Sequence, residues 1–147
     1  AYDLLLGQKR PLPILPLAYR QGMIAGRNMA GLSDNYTGGM PMNSIEICGL
    51  PTISVGLTAV SEADGFEILV NQNTVAGTYR KVVLKDNRLV GVILVGDIDR
   101  AGVYTGLIER REDVGAVKSL LLSSEFGLMS LDPKYRKHMV SGPGIEV

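Results

Sequence analysis

Few side chains in this sequence could do chemistry. One cysteine, Cys48, and one histidine, His138, are the whole supply of the two residue types that most often ligate transition metals or serve as nucleophile and base. A single thiol excludes an internal disulfide, a CxxC redox pair and a zinc site, and it suits a reducing, cytoplasmic compartment. Cys48 stands in an alternating stretch beside Gly49 with no cation near it in sequence, so a small buried hydrophobe is expected. His138 is flanked by Lys134, Arg136 and Lys137, a setting for a solvated side chain. Asp97 and Asp99 could pair for acid–base work, but a helix start directly after them predicts that at least one is a cap. The run Glu109 to Asp113 reads as a water-facing helix end. A carboxylate-only site for Mg²⁺ or Ca²⁺ stays formally open. No catalytic residue and no metal ligand is assigned from these patterns.

The elements that would position such groups can be read from proline, glycine and apolar spacing. Pro11, Pro13 and Pro16 make an extended segment that leads into a helix over Leu17 to Ala30, and Gly31 stands at its C-terminal end. Ala18, Gly22, Ala25, Gly26 and Met29 recur at spacings of three and four, a stripe of small side chains along one face. Two interior glycines cost about 1 kcal/mol each relative to alanine. Something is therefore expected to press on that stripe, either the sheet of the same chain or a flat ligand near the helix N-terminus. Leu32 to Pro41 is a loop and the best candidate boundary. Beyond it the period becomes alternating, with strands at Asn43–Gly49, Pro51–Leu57, Phe66–Asn71, Gly77–Lys85 and Arg88–Gly96. Asp86-Asn87 marks a two-residue hairpin. Helices at Arg100–Arg111 and Val114–Leu122 follow, and the chain from Phe126 reads as a loosely held tail.

The predicted fold is α+β: one N-terminal helix, a mostly antiparallel five-stranded sheet and two C-terminal helices. Residues 1–40, 41–125 and 126–147 are the expected divisions. The 147 residues carry 15 basic and 15 acidic side chains, which leaves no electrostatic footprint for nucleic acid or an anionic membrane. No apolar run approaches the roughly 20 residues of a membrane-spanning helix. Despite 18 glycines there is no G-x-G-x-x-G and no phosphate-binding P-loop.

From Pro16 to Gly31 the spacing P-x-A-x-x-Q-G-x-x-A-x-x-N-x-x-G resembles a segment of FAD-dependent pyridine nucleotide-disulfide oxidoreductases. Tyr36, Gly38, Tyr79-Arg80-Lys81, the stretch Leu89 to Asp97 and Gly106-Leu107-Ile108 continue the resemblance toward the rubredoxin reductase and NADH-dependent nitrite reductase branch. The resemblance implies the C-terminal third of such an enzyme. The two dinucleotide folds and the Gly-Asp segment that holds the FAD ribityl chain would lie upstream, with Ala1 just after that segment. It further implies that Pro16, Leu17 and Ala18 bring the helix N-terminus to the flavin, and that Gly22 and Gly26 let the helix press on the FAD domain. The sheet would be an interface domain that packs on the FAD domain and forms a homodimer or docks a redox partner. FAD would belong to the full-length NAD(P)H oxidoreductase and be absent from this chain alone, which would be inactive. The alternative is a free-standing, non-catalytic assembly or docking domain.

Overall fold

The computed structural model describes residues 1–133. His138 and its basic neighbours lie outside the described residues. The chain opens with two short paired strands, β1 (Tyr2–Asp3) and β2 (Gln8–Lys9), followed by helix α1 (Leu15–Met29). Strands β3 (Met42–Ile47), β4 (Leu50–Gly56), β5 (Glu67–Asn73), β6 (Thr78–Lys85) and β7 (Arg88–Val95) form one antiparallel sheet in the order β3-β4-β7-β6-β5. Helix α2 (Ala101–Arg110) packs on it, and the second C-terminal helical segment, Gly115–Leu120, is wound as a 3-10 helix. The α+β architecture is the one the sequence predicts.

Alternation explains the core. Val55, Val82, Val92 and Leu94 are opposed across the ladders on one sheet face, and all are buried. Helix α2 meets them with Val103, Tyr104, Leu107 and Ile108, a stripe at helical spacing. Phe126 completes the layer, its ring centroid 5.1 Å from that of Tyr104, and Leu131 is also buried. The core thus reaches beyond residue 125, and these two side chains are held firmly where the sequence suggested a loose tail. On the opposite sheet face Ile45, Ile47, Leu50 and Val70 are exposed.

Cys48 is neither buried nor in a strand. Ile47 and Leu50 are paired, so Cys48 and Gly49 are the two turn residues, with φ of 51° and 77°, and the thiol is exposed. Two left-handed central residues give the turn whose twist matches the flanking strands, and this outweighs the cost to a non-glycine side chain. Asp86 and Asn87, with φ of 51° and 57°, make the same turn between β6 and β7.

Helix α1 departs furthest from expectation. Its prolines and Gly31 set its ends as the sequence predicts, but Leu17 is its one buried residue. A Cβ built at Gly22 or Gly26 would meet nothing within 4 Å, so the small-residue stripe does not press on this chain's sheet. Among the described residues no other element reaches the strip.

Candidate functional site

Two places collect groups that could act. The first is the N-terminal turn of α1. Ile14 precedes the helix without a side-chain cap, Pro16 sits in the first turn, and no acidic residue is there. First-turn amides have no intrahelical acceptor, so this end keeps its positive partial charge. Of the three predicted site residues, Pro16 has no N–H to offer, and the amide of Ala18 donates to Ile14 O at 3.1 Å. Leu17 is the anchor: its side chain fills the space above Gly39, where an added Cβ would lie 2.6 Å from Leu17 Cδ2. The Tyr36 hydroxyl borders the same space and is buried without a hydrogen-bond partner among the described residues. Around this anchor the helix surface is apolar and open, with Leu15 82% and Tyr19 75% exposed and Met23 and Met29 exposed as well.

The second place is the guanidinium of Arg80, 7% exposed and enclosed by four segments. It donates to Asp97 Oδ2 at 2.8 Å, to the Tyr104 hydroxyl at 3.2 Å and to Ser123 O. The Tyr104 hydroxyl in turn donates to Leu121 O at 2.8 Å. Burial pushes the Tyr104 pKa above its usual value, against the opposing pull of the Arg80 charge. A polar cavity of about 180 Å³ lies beside the cluster, lined by Asn71, Asn73, Thr78 and Asp97 among others. These contacts make the cluster a tie between β6, the loop after β7, α2 and the C-terminal segment. Asp97 is therefore an ion-pair partner and not a helix cap: the residue before α2 is Arg100, in a left-handed conformation with no side-chain cap. Asp99 likewise makes no cap there. Among the described residues no group of His, Cys, Asp and Glu could hold a metal ion. Among the described residues no helix is long and apolar enough to cross a membrane either.

Residues 41–112 match the family model described as the Rubredoxin NAD+ reductase C-terminal domain. This segment belongs to that family. The match spans the whole sheet and α2, so Arg80, Asp97 and Tyr104 lie inside it and α1 precedes it. The chain is 34% identical over 121 residues to the epsilon subunit of NADH-dependent phenylglyoxylate dehydrogenase from Aromatoleum evansii, an alignment covering 80% of this chain and 28% of that protein. It is 24% identical over 109 residues to nitrite reductase [NAD(P)H] from Bacillus subtilis (strain 168), covering 73% of this chain and 13% of that protein. Among solved structures, an FAD-dependent pyridine nucleotide-disulphide oxidoreductase from Desulfovibrio vulgaris superposes with a TM-score of 0.64 at 15% identity. That superposition covers 95% of this chain and 36% of that one, and it speaks for the shared fold, α1 included. The chain thus resembles the C-terminal domain of larger enzymes and spans less than a third of the length of these curated relatives.

Proposed function

We propose that this chain is the C-terminal part of an FAD-dependent NAD(P)H oxidoreductase, in which α1 docks on the FAD domain and turns its N-terminus to the pyrimidine end of the flavin. The observation that carries the reading is the state of α1. A helix of 15 residues is marginal alone in water, and two interior glycines weaken it further. Among the described residues its glycine stripe meets nothing, and four large apolar side chains point to solvent. Such a helix is built for a surface that the described residues do not supply.

The charge at the helix start suits the cofactor. An uncapped helix start without a carboxylate offers partial positive charge where a reduced flavin gathers negative charge. FAD, when bound, supplies the hydride and electron chemistry. The contribution of this chain is orientation: Leu17 seats the first turn against Gly39, Pro16 fixes its backbone, and Ala18 leaves room for close approach. The sheet unit then offers its open face and edge to a second copy or a redox partner. By itself the chain binds no FAD and turns over no NAD(P)H.

Gel filtration of the purified chain, alone and mixed with a separately produced flavoprotein half, tests this. The reading expects no flavin absorbance in the chain's own peak and co-elution with flavin in the mixture. Retained flavin in the chain alone, or no association in the mixture, overturns it.

A further inference from the structure

The first ten residues hold a buried charge that the proposed flavin contact does not use. Asp3 is fully buried, and its Oδ1 accepts the amides of Leu5 at 2.8 Å and Leu6 at 3.2 Å. Its Oδ2 accepts Arg10 Nε at 2.6 Å. Buried carboxylates are costly unless fully satisfied, and a two-amide, one-guanidinium set satisfies this one. From Arg10 onward the chain has little freedom. Pro11 and Pro13 fix their own φ, the Ile14 amide donates to Leu12 O at 2.9 Å, and Pro16 lies in the first helical turn. The position of Arg10 is thus passed along a stiff segment to the N-terminus of α1.

The same ten residues hold α1 from its other side. Gly39, against which Leu17 is seated, donates to Tyr2 O at 3.0 Å and accepts from the Leu4 amide at 2.9 Å. Arg111, directly after α2, donates to Leu4 O, and Leu5 packs against the core under the sheet. A closed ring results: Asp3, Arg10, the proline segment, Leu17, Gly39 and back to Leu4, with Arg111 joining it to the sheet unit.

We propose that Asp3 and Arg10 are positioning residues for the flavin contact: their ion pair fixes where the α1 N-terminus stands relative to the sheet unit. The proposal rests on the docking of α1 against a flavoprotein half. Without the pair, the proline segment loses its fixed origin and the helix tip shifts while Leu17 remains seated.

The test uses the reconstituted flavoprotein complex and three variants: Asp3→Asn, Arg10→Met and the double substitution. Asp3→Asn keeps an acceptor for the two amides and removes the charge. Arg10→Met keeps the aliphatic stem of a partly exposed side chain, so it guards against a misfolded Asp3 variant. The expected result is a flavin midpoint potential moved to more negative values and a shifted flavin absorbance band in both single variants. The double variant should shift no further than either single one, and Arg10→Lys should recover part of the shift. Hydrogen exchange in the chain alone should quicken at the amides of Ile14 and Ala18, which donate to Leu12 O and Ile14 O, and stay unchanged in β7. An unchanged potential and spectrum in a complex that still forms overturns the proposal, as does additive behaviour of the two substitutions. Failure of the unsubstituted chain to associate at all counts instead against the docking of α1.

Discussion

The sheet unit and α1 are built by opposite rules. In the sheet, the apolar positions that alternation marks on the inner face of β4, β6 and β7 join one core cluster with α2 and the segment after it, and the buried ones are among the least exposed of the described residues. In α1, the apolar and small positions that helical spacing marks find no partner among the described residues, apart from Leu17. Both regions carry clear periodicity. Periodicity shows that a face is meant to be covered, and the chain decides by itself only whether it does the covering.

That contrast can be broken, or sharpened, in order of expected size. Leu107→Ala removes a buried side chain between α2 and the sheet and should cost about 3 kcal/mol in urea denaturation, as core truncations do. Met23→Ala on α1 should leave the same transition within a few tenths of a kcal/mol, because Met23 is exposed. A large loss from Met23→Ala would mean that the two regions are energetically alike after all. Arg80→Met should cost about 2 kcal/mol, since it leaves the Ser123 carbonyl and the Tyr104 hydroxyl without their shared donor. Asp97 is one-third exposed, so water takes over much of its lost partnership.

Gly39→Ala acts on the hinge between the two regions. Its methyl would collide with both Leu17 methyl groups and the Tyr36 hydroxyl, and should cost about 1–2 kcal/mol. Amide exchange should locate that loss in α1, with β7 untouched. The smallest effect separates the regions most sharply. Gly22→Ala meets nothing among the described residues and should raise α1 helicity, by up to about 1 kcal/mol of helix propensity. In the mixture with the flavoprotein half, the same methyl should weaken association, read as a later-eluting chain. Equal association of both forms would remove the stripe from the docking surface.

The sequence makes the five strands and both α-helices legible because proline, glycine and alternation act locally. The β6–β7 turn was readable since Asp86-Asn87 are familiar left-handed residues, whereas Cys48 was misplaced because cysteine is no turn former and the backbone chose its conformation. The role of Asp97 was hidden for a different reason: Arg80 lies a strand away, and an ion pair between distant positions has no local signature. The paired strands at Tyr2–Asp3 and Gln8–Lys9 are too short to carry any period. The start of α1 was legible in its prolines, its contact with a flavin is what the resemblance implies, and the seat of Leu17 over Gly39 beside Tyr36 came from geometry.

The strand order also sets an order of events in folding. β3 with β4, and β5 through β7, join neighbours in sequence through short connections, and such hairpins close within microseconds. The β4–β7 ladder, Thr52 to Val95 through Gly56 to Gly91, is the long-range pairing that turns two separate ribbons into one sheet. Its loop-closure entropy must be met before the core under α2 exists. Truncating Val55 or Val92 should therefore slow refolding, while substitutions confined to α1 leave the refolding rate of the sheet as it was.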